Sequence, residues 1–342
     1  MVRERAILPV FFFLAGTSVA VAQPRPSSVP SRTPAPAPRL IIEPKQPGTG
    51  SLIRVAVDGP STSSDSIEVI AGQLAGEPLH FVTAAGGRRV ALAAIPIDAS
   101  DSVVARVLVD MSSGAIDTLR TVLHYPHHPA PVPAPAGKRG RAPGARRLRV
   151  DPKFTQRMDS ATDARIEHEN ELARDVGHKA HDTPQLWTYP FLRPRPSRVT
   201  STFGSGRVFN GRVTSSHLGI DYRGAAGEPI YAANRGVVAL VAEFFLAGNV
   251  VYIDHGAGVI TGYFHMSKPE VAMGDTVERG QEIGLVGATG RVTGPHLHWS
   301  ARFGALTIDP ADLLGLRAPF TAPDTTHPAV KKPAAKRPPA RR

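Results

Sequence analysis

Proline sets the outer limits of what this chain can fold into. Residues 23–38 read QPRPSSVPSRTPAPAP, and residues 126–149 form a second run of prolines and basic residues without aromatic side chains. A residue with φ locked near −65° and no N–H suits neither a helix interior nor a sheet ladder. Both runs are therefore expected to be extended linkers of polyproline II character, and they divide the 342 residues into blocks. At roughly 150 residues per domain, the length predicts two folded domains. The resulting boundaries are a linker at 23–39, a first domain at 40–125, a basic linker at 126–150, a connector at 151–183, a second domain at 184–319 and a basic tail at 320–342. The linkers are expected to give the second domain reach.

The first 22 residues carry an address. Arg3 and Arg5 precede an uncharged stretch, and Ala20-Val21-Ala22 stands before Gln23, the small-x-small pattern of a signal cleavage site. Residues 1–22 are expected to be removed on export to a bacterial periplasm or cell envelope, leaving no transmembrane helix. The chain has no cysteine. That excludes a disulfide scaffold, a thiol nucleophile and cysteine-ligated zinc or iron, so any metal must be held by His and carboxylate.

The formal net charge is +11, and two short segments account for it. Residues 138–149 (KRGRAPGARRLR) and 327–342 (HPAVKKPAAKRPPARR) are dense in Lys and Arg but poor in apolar side chains. A nucleic-acid binder places its cations on a folded face among aromatics, so no nucleic acid is expected as a partner. Solvated linker and tail are the simplest reading, with electrostatic contact to an anionic envelope as the functional one.

Between residues 40 and 124 short alternating apolar runs are separated by Gly, Pro, Ser and Asp. This predicts a small β-sandwich of immunoglobulin-like type, without a catalytic constellation. Ala161, Ile166, Leu172 and Val176 recur at loosely helical intervals and predict a helical connector lying over the next domain. His168, His178 and His181 fall in that region without a partner at ligand spacing. From 184 to 319 the chain is strand-rich again, an antiparallel β domain with Gly at most turns. Residues 274–284 (GDTVERGQEIG) carry a polar-tipped hairpin signature also found in lipoyl and biotinyl carriers. Such carriers need a lysine at the tip, and none is present.

Histidines in tight polar contexts carry the chemistry: Ser216-His217-Leu218-Gly219-Ile220-Asp221, Tyr263-Phe264-His265-Met266, and Gly294-Pro295-His296-Leu297-His298. Residues two apart on a strand share a face, so His296 and His298 can enter one pocket with Leu297 behind. His217 and Asp221 would lie ~13 Å apart on an ideal strand, so the chain must bend between them, which Gly219 allows. A catalytic zinc takes three His or carboxylate ligands and keeps one position for water. His217, Asp221 and one of His296 and His298 supply that set, leaving the other histidine and His265 to act on water and substrate. Such a site suits hydrolysis of an amide. His255, beside a turn glycine, reads as structural.

Across residues 199–309 these motifs, with Thr200-Ser201-Thr202-Phe203-Gly204, Val251-Tyr252-Ile253-Asp254-His255-Gly256 and Gly287-Ala288-Thr289-Gly290 between and around them, resemble the lysostaphin-like or LytM-type zinc peptidoglycan endopeptidases. The resemblance implies a zinc peptidase domain with a lipoyl-like hairpin. It also implies that His217, Asp221 and His298 hold Zn2+, while His265 and His296 form the catalytic pair. The substrate class so implied is peptidoglycan, cut in its stem peptides or crosslinks. Some relatives have lost these residues and activate other wall hydrolases without catalysis; here all five positions are filled. The expectation is a mainly β, exported zinc endopeptidase, with a non-catalytic envelope regulator as the alternative.

Overall fold

The structure, a computed structural model, describes residues 37–59, 67–84, 88–98, 102–111, 114, 116–125, 145–188, 190–211 and 213–316. The expected signal sequence at 1–22, most of the expected linker at 23–39, residues 126–144 and the expected tail at 320–342 lie outside the described residues. The fold is mainly β, built from antiparallel sheets with few helices.

The N-terminal region contributes β1 (Arg39–Glu43), β2 (Leu52–Asp58), β3 (Ile67–Leu74), β4 (Glu77–Pro78), β5 (Val82–Thr83), β6 (Arg89–Ala94), β7 (Ser102–Met111) and β8 (Ile116–His124). They form two four-stranded sheets, ordered β1-β2-β6-β5 and β4-β3-β7-β8. Alternation decides what each face does. Ile53, Val55 and Val57 of β2, with Ala91 and Ala93 of β6, point at Ala105, Val107 and Val109 of β7 and make the core between the sheets. Leu52, Leu92 and Ala94 point the other way and join the core of the following domain, beside Trp187 and Phe191. This sheet is thus apolar on both faces, and one core runs on into the next.

The basic linker ends earlier than its composition predicts. Arg146–Leu148 is a strand, β9, because Leu148 and Val150 bury against Phe154 and Phe209, and apolar contact of that kind outweighs linker character. A short 3-10 turn follows at Pro152–Phe154. Helix α1 (Ser160–Lys179) starts at Asp159, whose side chain accepts a bond from the Thr162 N–H, a capping arrangement. Its Leu172, Ala173 and Val176 pack on Phe244, Val250, Tyr252 and Ile260 of the sheet below. Glu169 is buried as well, and its carboxylate accepts the Phe245 N–H at 2.8 and 2.9 Å.

The C-terminal domain contains β10 (Val199–Ser201), β11 (Gly206–Phe209), β12 (Val213–Ser216), β13 (Ile220–Arg223), β14 (Pro229–Tyr231), β15 (Gly236–Phe244), β16 (Gly248–Asp254), β17 (Val259–Pro269), β18 (Thr276–Val277), β19 (Glu282–Val286), β20 (His296–Phe303) and β21 (Leu306–Ile308), then the short helix α2 (Pro310–Gly315). Ten of these strands make one sheet, with β10-β13-β20-β17-β16-β15-β18 along its main path. Strands β12-β11-β9 form a separate three-stranded sheet in which β9 runs parallel to β11. The expected hairpin at 274–284 does not form. Strand β18 pairs with β15, and β19 pairs with β14 and β17, because Val277 and Ile283 both sink into the core and take their backbone partners there. A turn closed by the Gln281 N–H on the Glu278 carbonyl connects them. Among the described residues, no helix is long and apolar enough to cross a membrane.

Polar bonds stitch the two regions together along their shared core. The Leu52 N–H donates to the Asp312 carboxylate at 2.8 Å, the Ala305 N–H to Glu77 at 3.0 Å, and His181 bridges Glu77 and His80 at 2.9 and 2.8 Å. Burial pushes the Asp312 carboxyl up to about 6, helped by the charge of Asp309 and opposed by the Leu52 bond. A carboxyl raised on folding favours the folded state while protonated, and that contribution is lost as pH rises from about 4 to 6. Asp312→Asn keeps an acceptor for Leu52 without the charge. The variant should melt about 2–4 °C above the parent at pH 7 and at the same temperature at pH 4, as read by calorimetry.

Candidate metal centre and active site

Strand register brings the polar residues together. In β13, Ile220 and Tyr222 face the core, so Asp221 and Arg223 face the opposite side. In β20, Leu297, Trp299 and Ala301 fill the core, which leaves His296 and His298 on that same opposite side. The strands pair with Asp221 directly across from His298 and Arg223 across from His296. Cross-strand partners stand about 4.5–5.5 Å apart, within reach of one another's side chains.

His217 arrives from the bend before β13. Its N–H donates to the Ser205 carbonyl and its carbonyl accepts the Gly204 N–H. Its ring Nδ1 lies 2.9 Å from the Thr202 carbonyl and 3.1 Å from the Ser201 hydroxyl. Only a protonated nitrogen can bond a carbonyl oxygen, so Nε2 is left with its lone pair. Gly219 makes the bend feasible: a Cβ there would sit 2.5 Å from the Trp299 carbonyl oxygen and 2.6 Å from His298 Nε2.

His217 Nε2, His298 Nδ1 and Asp221 Oδ1 converge, at 2.9 Å between the two nitrogens and 3.0 Å from each nitrogen to the oxygen. A tetrahedral centre with ligands at about 2.0–2.2 Å spaces them about 3.4 Å apart, so this triangle needs only a few tenths of an ångström of opening to hold a metal ion. The donor types, two imidazoles and a carboxylate, suit zinc. Burial would by itself raise the Asp221 carboxyl, but the His217 and His298 rings beside it hold it well below the usual carboxylate range. Burial lowers His298 to about 4 against the pull of Asp221, which keeps its ring neutral and able to bind a metal at pH 7. The other oxygen of Asp221 is held by the Arg207 guanidinium.

His265 reaches the site through a break in the ladder. Between β16 and β17 the register runs Asn249↔Met266 and then Val251↔Tyr263, so Phe264 and His265 together oppose Val250. This bulge lets both Tyr263 and Met266 face the core and turns His265 to the side of His296 and His298. His265 has φ 61°, a region sparsely used by residues other than glycine. Its Nδ1 donates to the Thr289 carbonyl at 2.9 Å, and its ring centre lies 5.0 Å from that of His296. Burial lowers its pKa well below the ordinary value, and His296 and His298 add to the effect. His296 Nδ1 donates to the Gly294 carbonyl at 2.8 Å, leaving Nε2 3.7 Å from Asp221 Oδ1. Both rings therefore present a bare Nε2.

All five expected residues meet at one place. Composition and spacing did not single out Ser201, Arg207 and Thr289, which hold His217, Asp221 and His265. For Ser201 and Thr289 the signal lies only in the order of the motifs that contain them, and Arg207 falls in none of those motifs. His255 is remote from the centre in role: it is fully buried, donates from Nδ1 to the Arg235 carbonyl at 2.7 Å and accepts from the Thr261 hydroxyl at 2.7 Å. His181 spans the seam between the two regions, a task no linear pattern announces.

Residues 215–310 match the peptidase family M23 model. Over 103 residues the chain is 44% identical to peptidoglycan DD-endopeptidase ShyA of Vibrio cholerae, a match covering 30% of this chain and 24% of that protein. It is 38% identical over 117 residues to DD-carboxypeptidase/endopeptidase Mpg of Neisseria meningitidis serogroup B, covering 34% of this chain and 27% of that protein. The match thus spans about a quarter of the length of these curated relatives. Among solved structures, one described as a peptidase M23 from Pseudomonas aeruginosa superposes with TM-score 0.55 at 24% identity, covering 79% of this chain and 96% of that one, a likeness of fold.

Proposed function

Since residues 215–310 belong to peptidase family M23, a family of zinc-dependent metallopeptidases, we propose that this protein is an exported endopeptidase that hydrolyses peptide bonds in peptidoglycan. The observation that carries the reading is the convergence of His217, Asp221 and His298 within 3.0 Å, with two further histidines beside them. In this reading those three residues hold zinc. Bound there, the ion lowers the pKa of a coordinated water to near 7 and polarises the scissile carbonyl.

The remaining work belongs to side chains. His296 presents Nε2 3.7 Å from Asp221 Oδ1, and with Nδ1 tied to the Gly294 carbonyl it accepts a proton without changing orientation. His265, kept neutral by burial, is the second base of the pair. Whichever ring takes the proton becomes a donor to the departing amine or to the carbonyl oxygen as it gains charge. Arg207 fixes Asp221 from behind, the usual office of a partner to a ligating carboxylate. The N-terminal strands are read as an immunoglobulin-like sandwich that positions the catalytic domain, and the site of action is the periplasm or cell envelope.

The test is release of soluble muropeptides from purified peptidoglycan, read by mass spectrometry. Zinc-loaded protein should release fragments whose masses name the bond, a chelator should abolish release and zinc should restore it. His296→Ala should retain one zinc per chain while release falls about 10²–10⁴-fold. A folded, zinc-loaded protein that releases nothing overturns the proposal in favour of a regulator.

A further inference from the structure

Beside His296 and Asp221 the surface opens into a cavity of about 260 Å³ whose wall includes Arg146, Arg207, Arg223 and Arg291. Asp221 supplies the only carboxylate lining it among the described residues, and its oxygens are already engaged by His217, His298 and Arg207. Among the described residues, neither Arg223 nor Arg291 has an acidic group of this cavity free to pair with it. Arg291 lies over the Phe209 ring at 4.3 Å, and Arg146 donates only to the Thr200 carbonyl, at 2.8 Å.

Gathering such charges is costly. Burial lowers the Arg207 pKa, Asp221 offsets this and Arg146 adds to it; burial and then the charge of Arg207 lower that of Arg291. Among the described residues, Arg207 Nε is buried with no hydrogen-bond partner, and a buried donor left unmade is destabilising. The fold nevertheless holds the cluster in place from several elements. Arg146 comes from β9, pinned beside β11, which carries Arg207; Arg223 lies on β13, opposite His296. Four planar guanidinium groups around one hollow, of which Arg207 alone is held by a carboxylate there, match a further carboxylate in geometry and charge.

We propose that this cavity is a carboxylate subsite, in which Arg146, Arg207, Arg223 and Arg291 receive a free carboxylate that the substrate carries within one residue of the scissile amide. The inference rests on the peptidase reading above and names what that site selects. Two of its residues, Arg146 and Arg207, lie outside the segment matched to the family.

The experiment uses the zinc-loaded protein and three crosslinked peptides joined through a D-alanyl–meso-diaminopimelate amide. One has all carboxylates free, one is amidated on the amine side of the scissile bond and one on the acyl side. Amidation on one side should lower kcat/KM about 10- to 100-fold, the range for a hydrogen bond to a charged group, and the side affected identifies the carboxylate bound. Arg291→Gln and Arg146→Gln should lose this preference, cutting the free peptide as slowly as the parent cuts the amidated one. Arg291→Lys, which keeps charge but not the fork, should retain part of it, so a folding defect is separated from loss of recognition. Equal cleavage of all three peptides by the parent, or a preference that survives both Gln variants, overturns the subsite and leaves the peptidase reading standing. Cleavage of none overturns that reading and the subsite with it.

Discussion

Asp221→Ala should give a folded chain that binds no zinc and releases no muropeptide, a loss on the order of 10³-fold or more, since both water activation and carbonyl polarisation depend on the metal. The fold should persist because the backbone of Asp221 keeps its pairing with Ser201 and His298. Stability should fall all the same. Arg207, whose side chain is only 15% exposed, would lose its partner, and an unpaired charge at such a site costs about 3 kcal/mol. The double variant Asp221→Ala/Arg207→Leu should therefore recover much of the melting temperature while remaining inactive. Metal analysis, calorimetry and the muropeptide assay on the three proteins separate the two roles. Zinc retained at one per chain in Asp221→Ala would remove this residue from the ligand set.

Gly219→Ala should disable the site with a single methyl group. That methyl would meet the Trp299 carbonyl oxygen at 2.5 Å and His298 Nε2 at 2.6 Å, well inside contact distance. The backbone oxygen belongs to the ladder and has little room to move, so the His298 ring must give way. A displacement near 1 Å costs about 10²-fold in rate, and zinc affinity should drop alongside. Gly294→Ala provides the contrast: it lines the cavity beside Asp221 and His296, and a Cβ there meets nothing within 4 Å. It should change turnover by less than about threefold. Comparable loss in both variants would show that any change near the centre is harmful and would sink the steric explanation.

Much of this centre is legible in the chain because it rests on local rules. The i, i+2 spacing of His296 and His298 around a buried Leu297 places both on one face, and the reach from His217 to Asp221 demands a bend that Gly219 permits. What is not legible depends on a second strand or a distant segment. His265 faces the centre only through a bulge that belongs to β16 and β17 jointly, whereas simple alternation would send it into the core with Tyr263. The segment at 274–284 looks like a hairpin because its turn is local, yet its two strands find partners in β15, β14 and β17. Arg146 and Leu148 sit in a stretch with the composition of a linker, and only Phe154 and Phe209 turn that stretch into structure. Glu169 pairs with Arg165 one turn away at 2.7 Å, as helical spacing allows, but its burial also rests on an N–H at Phe245 that no helical period reveals.

Strand β9 also alters what the basic segment does mechanically. Strand β8 ends at His124 and β9 begins at Arg146, and both are anchored, one in the N-terminal sheets and the other beside the candidate metal centre. With Leu52, Glu77 and His181 locking the same two regions together, the strands on either side of the basic segment belong to one body and are not free to move apart. In the peptidase reading, the bonds within reach of the centre are then set by the dimensions of that single body.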